Sequence, residues 1–132
     1  MRNFNAKEQT EEIINFIRNY YSVYNLGGAV IGISGGKDSA VVAALFTKAL
    51  GAENVLGVTM PCHSKASDKE DAKLISDYYG FKLIDMDLTS TFDSFKEEVN
   101  KLGNFTNDNL VNSDINLKPR LRMATLYYTA AL

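Results

Sequence analysis

Cysteine and long apolar runs are scarce in this sequence, and both shortages narrow the classes of protein it can belong to. One cysteine, Cys62, among 132 residues excludes an internal disulfide and a cysteine-rich zinc site, and it is typical of a reducing compartment. No apolar run approaches the ~18 residues that a membrane-spanning helix needs, and the first residues lack the apolar core of a secretory signal. We therefore expect a cytoplasmic protein that does not contact a membrane.

An excess of basic charge is also missing. The chain has 14 lysines and arginines against 16 aspartates and glutamates, so its formal net charge is -2. Proteins that bind nucleic acid are usually basic, and we therefore expect no nucleic-acid partner. The length is close to the common size of one domain, and the composition is that of an ordinary globular protein.

The apolar residues form an alternating series of helix and strand patterns. Apolar spacing and helix start signals predict helices at residues 5–25, 40–50, 67–79, 91–102 and 117–132. Short β-branched runs predict strands at residues 29–33, 55–60 and 81–86. This alternation predicts an α/β fold, with three α/β/α layers around a parallel sheet. In such sheets, ligands bind at the carboxyl ends of the strands.

Three local signals concern the ends of helices. Ser67 and Glu70 have the spacing of a capping box, which would begin the third helix. Residues 104–116 are rich in asparagine and aspartate without a clear period, so they predict a loop, and Pro119 then falls in the first turn of the last helix. The sequence stops within an apolar helical pattern, from which we expect a continuation beyond Leu132.

The segment Gly32-Ile-Ser-Gly-Gly-Lys-Asp-Ser39 lies between a predicted strand and a predicted helix, where backbone amides can bind an anion. It is not a Walker loop, because isoleucine and aspartate occupy positions 31 and 38, where that motif has glycine and serine or threonine. It is not a Rossmann fingerprint, because positions 34 and 37 are not glycine. The alternative to an anion site is a tight turn followed by a helix cap.

Residues 34–39 resemble the S-G-G-x-D-S signature of the PP-loop ATP pyrophosphatases, which cleave ATP between its α and β phosphates. The resemblance implies that the ATP-binding residues are Gly32, Ile33, Ser34, Gly35, Gly36, Lys37, Asp38 and Ser39. A carboxylate among phosphates repels them unless a cation lies between, so Asp38 is interpreted as a Mg²⁺ ligand. Lys37 occupies the variable position of the signature, where a solvated side chain is expected.

Residues 116–123, Asn-Leu-Lys-Pro-Arg-Leu-Arg-Met, resemble the N-x-x-[AP]-R-x-R-M segment of the ammonia-dependent NAD(+) synthetases. This resemblance covers about residues 6–132 and implies a Rossmann-like fold of the adenine nucleotide alpha hydrolase type. It implies a carbon-nitrogen ligase in which ATP adenylates deamido-NAD(+) and ammonia then displaces AMP to give NAD(+). Arg122, which matches the second arginine of the segment, is implied to contact deamido-NAD(+), with Arg120 as the weaker candidate; a solvated helix face is the alternative for both.

The same resemblance implies a homodimer. It also implies that residues 1–132 form the N-terminal part of an NAD synthetase domain whose C-terminal part, with further ATP and Mg²⁺ contacts, is absent. Two alternatives stay open. One is another PP-loop enzyme, such as a tRNA-modifying ligase or a GMP synthetase, although the acidic charge and single cysteine disfavour the tRNA enzymes. The other is a catalytically incomplete nucleotide-binding fragment.

Two further groups of residues attract attention. Cys62 and His63 are adjacent, but neighbours on a loop rarely act as nucleophile and base, so we expect at most that His63 lines the nucleotide pocket. Tyr20, Tyr21 and Tyr24 follow helical spacing and predict packing in the core or in a dimer interface.

Overall fold

The computed structural model describes residues 4–132 and contains a parallel sheet with helices on both sides. The helices are α1 (Ala6–Tyr24), α2 (Lys37–Leu50), α3 (Ala66–Tyr79), α4 (Thr89–Asn100) and α5 (Asn107–Ala130). The strands are β1 (Ala29–Gly32), β2 (Val55–Thr59) and β3 (Lys82–Asp85), and a 3-10 turn at Ala52–Asn54 precedes β2. The strands lie in the order β1-β2-β3 and all pairs are parallel, so their carboxyl ends meet at one edge.

Side chains alternate between the two faces of the sheet and build a separate core on each. The first core joins the sheet to α2 and α3 and contains Ile31, Ile33, Ala43, Val55, Ala72 and Phe81. The second core joins the sheet to α4 and α5 and contains Val58, Met60, Cys62, Leu88 and Phe92, with Leu117, Leu121 and Leu126 packed against it. The predicted α/β fold with three layers around a parallel sheet is therefore confirmed.

Helix α2 begins earlier than the sequence pattern predicts. The first helical residue is Lys37 rather than Ala40, and Gly36 is the N-cap in an extended conformation. Ser39 does not cap the helix from outside, because its hydroxyl donates to the Gly36 carbonyl at 3.1 Å and closes the preceding loop. The loop is consequently shorter than predicted, and Asp38 lies in the first helical turn.

The capping box predicted for α3 is wrong. The helix begins at Ala66 with Lys65 as its N-cap, and no side chain caps it, so Ser67 lies one residue inside the first turn. This first turn packs against the loop after β1: a Cβ atom at Gly35 would lie 2.7 Å from the Asp68 carbonyl oxygen. We attribute the earlier start to this tertiary contact, which a local capping pattern does not contain.

The predicted loop at residues 104–116 is also wrong, because α5 starts at Asn107. Thr106 caps it by accepting a hydrogen bond from the Asn109 amide at 3.4 Å. Pro119 therefore lies in the interior of the helix rather than in its first turn. Asparagine and aspartate have low helix propensity, but packing of α5 on the sheet outweighs that preference.

Only part of the tyrosine series packs as predicted. Tyr21 is half-buried and its ring lies 6.0 Å from that of Phe46 on α2. Tyr20 and Tyr24 are 46% and 62% exposed and lie against each other, with ring centroids 4.6 Å apart. Of the two predicted roles, exposure excludes the core for these two residues, and packing in a dimer interface stays a prediction. Ile17 is the buried residue of α1. No helix within residues 4–132 is long and apolar enough to cross a membrane.

Candidate functional site

The loop between β1 and α2 is anchored to the sheet at its first residues. The Ile33 amide donates to the Val58 carbonyl at 2.9 Å and so extends the pairing of β1 with β2 by one residue. The Ile33 side chain is buried in the first core. Gly32 and Ile33 therefore fix the position of the start of the loop relative to β2.

Two serine hydroxyls hold the loop in shape. The Ser34 amide donates to Ser39 Oγ at 3.1 Å, and the Ser34 and Ser39 hydroxyls are 3.1 Å apart. The Gly36 amide donates to Ser34 Oγ at 3.2 Å. The Lys37 and Asp38 amides begin α2 and have no acceptor one turn earlier within the helix. A loop of fixed shape thus presents amides at the positive end of a helix, an arrangement that binds anions.

Gly35 occupies a position that only glycine fits. Its φ angle is +83°, in the region that side chains rarely adopt. A Cβ atom there would also lie 3.1 Å from the Asp68 Cα, in addition to the carbonyl contact already described. The glycine therefore lets α3 approach the loop closely.

A cavity of about 380 Å³ lies at the carboxyl ends of the strands. Gly32, Ile33 and Ser34 line one side of it, and Arg122 and Leu126 of α5 line another. The remaining residues proposed to bind ATP, 35–39, are not among those that line the cavity, and Lys37 and Asp38 are exposed. The predicted ligand edge of the sheet is thus where the structure forms a cavity.

The structure separates the two candidate arginines. Arg122 faces the cavity, and its Nε donates to the Met60 carbonyl at 3.0 Å. Arg120 lies on another side of α5, where its Nη1 donates to the Asn116 carbonyl at 2.7 Å. It lines a different groove of about 420 Å³ between α4 and α5. Residues two apart on a helix point about 200° away from each other, which explains the separation.

The sequence reasoning missed a polar group at the far end of the cavity. Asp85 ends β3, and its Oδ1 accepts a hydrogen bond from the Thr59 hydroxyl at 2.6 Å. Its Oδ2 lies 2.5 Å from Nζ of Lys69 on α3. Thr59 and Asp85 are register partners at the ends of β2 and β3. Polar residues ending two neighbouring parallel strands were the signal that could have found them.

Hydrogen bonds from Lys69 and then Thr59 lower the pKa of Asp85 below its ordinary value. A carboxylate with a depressed pKa stabilises the fold above its unfolded pKa of about 3.9, and this contribution is lost as the pH falls through the folded value. We expect Asp85→Asn to flatten the dependence of unfolding free energy on pH below about pH 4. Urea unfolding at a series of pH values measures this, and Asp77→Asn, which removes the other Lys–Asp pair of α3, is the matched control.

Cys62 and His63 do not form a reactive pair. Cys62 is buried in the second core, and burial raises the pKa of its thiol. The His63 ring lies 2.8 Å from Asp93 Oδ1 on α4, and His63 is not among the residues that line the cavity. The structure therefore places His63 against α4 rather than in this cavity.

The donor set near the loop fits a Mg²⁺ ion that is shared with phosphates. No cluster of three or more histidine, cysteine, aspartate or glutamate side chains within the described part of the chain could enclose a metal. Mg²⁺ commonly binds through one or two carboxylates, with phosphates and water completing its shell. Asp38, exposed in the first turn of α2 directly after the loop, is a carboxylate of that kind.

Comparisons with known proteins agree with this geometry. The NAD synthase family model matches residues 9–132. The NH(3)-dependent NAD(+) synthetase of Carboxydothermus hydrogenoformans is 39% identical over 127 residues, which cover 96% of this chain and 51% of that protein. The enzyme of the same description from Finegoldia magna is 40% identical over 126 residues, covering 96% and 49%. The chain thus spans about half the length of the curated relatives it matches.

Two solved structures have the same fold. The NH3-dependent NAD synthetase from Campylobacter jejuni superposes with a TM-score of 0.85 at 31% identity, covering 98% of this chain and 53% of that one. The NMN synthetase from Francisella tularensis superposes with a TM-score of 0.86 at 27% identity, covering 98% and 51%.

Proposed function

Because this chain belongs to the NAD synthase family, we propose that it binds ATP and serves the ATP-dependent amidation of deamido-NAD(+) with ammonia. The observation that carries the proposal is the segment of residues 32–39, whose loop is tied to β2 and braced by two hydroxyls and whose last three residues begin α2. Its position at the carboxyl edge of a parallel sheet is where such folds bind nucleotides. The products would be NAD(+), AMP and pyrophosphate.

The proposed reaction requires alignment more than acid-base chemistry. An oxygen of the nicotinate carboxylate attacks the α-phosphorus of ATP, and the bond to the β-phosphate oxygen breaks to release pyrophosphate. Ammonia then attacks the acyl carbon, AMP leaves with the bonding electron pair, and the nitrogen loses a proton to solvent. The Ser34 and Gly36 amides hold the loop in shape, and the Lys37 and Asp38 amides at the start of α2 would bind the phosphates, which contributes orientation and charge stabilisation.

Asp38 would hold Mg²⁺ against the phosphates. The ion, when bound, neutralises charge on the pyrophosphate that leaves. Asp38 itself would fix the position of the ion, because its backbone is held in the first turn of α2. The Lys37 side chain is assigned no specific role.

Arg122 is the better placed of the two arginines for deamido-NAD(+) near the phosphates, since it lines the same cavity as the loop. Its bond to the Met60 carbonyl orients the guanidinium and leaves further N–H groups to bind an anion. Arg120 would serve only a part of the substrate that extends into the groove between α4 and α5.

We propose that the protein is a homodimer in which the exposed stripe of Phe16, Tyr20 and Tyr24 on α1 is covered. We also propose a cytoplasmic location.

The experiment that tests the function measures AMP and NAD(+) from ATP, Mg²⁺, ammonia and deamido-NAD(+), with ATP binding to the chain as a separate measurement. Nicotinate mononucleotide belongs in the substrate panel, because one structural relative is described as an NMN synthetase. Nothing in the comparisons supports a tRNA-modifying ligase or a GMP synthetase. ATP cleavage that depends on tRNA or xanthosine monophosphate would nevertheless contradict the proposal.

The replacement Asp38→Asn tests the metal assignment. We expect nucleotide binding in the presence of Mg²⁺ to weaken by about tenfold or more, because a charged ligand is exchanged for a neutral amide of the same size. Isothermal titration with ATP, with and without Mg²⁺, measures the change. Glu11→Gln on α1 is the control, since it removes an exposed carboxylate far along the chain from the loop. Equal Mg²⁺ dependence in Asp38→Asn and the parent protein would refute the assignment.

A further inference from the structure

The cavity extends beyond the loop and crosses the carboxyl ends of all three strands. Ser34 lies at the β1 side, Met60 and Pro61 follow β2, and Asp85 ends β3. Neighbouring strands lie about 4.8 Å apart, so Asp85 is roughly 10 Å across the sheet from the loop. A nucleotide with its phosphates on the loop has a ribose and a base to place in that space.

The surroundings of the cavity change along this path. Near the ends of β1 and β2 its lining includes the apolar side chains of Ile33, Met60 and Leu126, which suit the flat face of a base. Its far end is polar and consists of Thr59, Lys69 and Asp85. Ser64, Lys65 and Asp68 line the cavity as well. An apolar face beside a few fixed polar groups is the usual form of a site that binds a ring and reads its edge.

Asp85 can only accept hydrogen bonds from such an edge. Hydrogen bonds from Lys69 and Thr59 lower its pKa, so the carboxylate is ionised at neutral pH. Each of its oxygens already accepts one hydrogen bond, at 2.6 Å from Thr59 and at 2.5 Å from Lys69, and each retains a second acceptor position. The two partners hold the carboxylate in one orientation, and the ammonium group balances its charge.

We propose that Asp85, positioned by Thr59 and Lys69, reads the 6-position of the purine and thereby selects adenine over hypoxanthine and guanine. This inference rests on the proposed function, because it takes the loop as the phosphate site. Adenine carries an amino group at that position, which donates to a carboxylate. Hypoxanthine and guanine carry a carbonyl oxygen there, which a fixed carboxylate repels, and rejection of this kind sets specificity more strongly than shape alone.

The chemistry favours a base edge over a metal ion at Asp85. A cation would have to compete with the ammonium of Lys69, which already lies against Oδ2. The ribose is the other group that could donate to a carboxylate, through its hydroxyls. It lies nearer the phosphates than the base does, whereas Asp85 ends the strand that is two positions across the sheet from the loop.

The test compares ATP with inosine triphosphate, which differs from ATP only in the hydrogen-bonding groups at positions 1 and 6 of the base. Titration of each nucleotide with Mg²⁺ into the full chain gives a ratio of dissociation constants. We expect the parent protein to prefer ATP and Asp85→Asn to reduce that preference by about tenfold or more, because an amide can donate to the carbonyl oxygen. Lys69→Met, at an exposed position, should reduce the preference for ATP less than Asp85→Asn does. It frees one oxygen of the Asp85 carboxylate but leaves the negative charge of Asp85 in place.

Asp77→Asn is the matched control, because Asp77 also accepts from a lysine of α3 but does not line this cavity. Its preference for ATP should equal that of the parent protein. Asp85→Asn could instead weaken the binding of ATP and inosine triphosphate equally, and leave the binding of 2′-deoxy-ATP or 3′-deoxy-ATP unchanged. That result would show that Asp85 holds the ribose, and it would overturn the inference. If Asp85→Asn binds ATP and keeps the preference of the parent protein, the inference is overturned but the proposed function stands. If the parent chain binds no ATP, both the inference and the proposed function are overturned.

Discussion

Gly35→Ala is expected to weaken ATP binding by about tenfold to a hundredfold, because one hydrogen bond to a charged group contributes about 1.5–3 kcal/mol. The added methyl group would lie 2.7 Å from the Asp68 carbonyl oxygen, which belongs to the backbone of α3 and cannot rotate away. Either the loop or the first turn of α3 must move. Because the loop leads directly into the amides that are the proposed phosphate ligands, movement of the loop removes the alignment on which binding depends. Titration with ATP and Mg²⁺ measures the loss.

Gly80→Ala is the control that distinguishes the effect of steric crowding at Gly35 from the effect of backbone strain. Gly80 has nearly the same φ angle, +79° against +83°, but a Cβ atom there would meet nothing closer than 3.8 Å. It ends α3 away from the cavity, so alanine there should cost roughly 1–2 kcal/mol of stability and leave ATP binding unchanged. If both variants bind ATP as tightly as the parent protein, residues 32–39 are not the phosphate site.

Phe92→Ala is expected to lower the free energy of unfolding by about 3–5 kcal/mol, the usual cost of removing a buried phenylalanine. Phe92 is 3% exposed and lies in the second core between α4 and the sheet. The ammonium groups of Lys96 and Lys118 each lie 5.3 Å from its ring centroid, so the ring also joins α4 to α5 electrostatically. Domains of this size are stable by only about 5–15 kcal/mol, so the loss is a large part of the total.

The control for Phe92 is its neighbour one turn later on the same helix. Phe95 is 50% exposed, and Phe95→Ala should cost less than about 1.5 kcal/mol because little apolar area leaves the core. Urea unfolding measures both values from the midpoint and the slope. Equal losses in the two variants would mean that α4 is not held to the sheet by Phe92 in the way the structure describes.

The alternating fold was predictable because it depends on local patterns. The run from Ala29 to Ile33 is apolar and β-branched, which predicts a buried strand wherever the rest of the chain lies. The glycines at positions 35 and 36 then require a turn, and the residues after them favour a helix. A strand, a glycine loop and a helix in that order indicate an anion site without any knowledge of the tertiary structure.

Helix limits were less predictable, because distant contacts compete with local preferences. Residues 107–116 contain asparagine and aspartate, which favour turns when considered alone, yet they continue a helix whose later leucines pack on the sheet. Ser67 has the spacing of a cap, but the close approach of α3 to Gly35 accompanies a start one residue earlier. In both places a tertiary contact contributes more free energy than the local signal.

By itself, the sequence determined the class of fold, the edge of the sheet where ligands are expected and the loop expected to hold phosphates. Each of these follows from the spacing of residues that are near one another in the chain. Only the tertiary structure decided that Arg122 and not Arg120 borders that loop's cavity, and that Thr59, Lys69 and Asp85 meet at its far end. These residues come from β2, α3, β3 and α5, and their distances depend on how the strands pair and how the helices pack across the sheet. The linear pattern of the sequence specifies neither the strand pairing nor the helix packing.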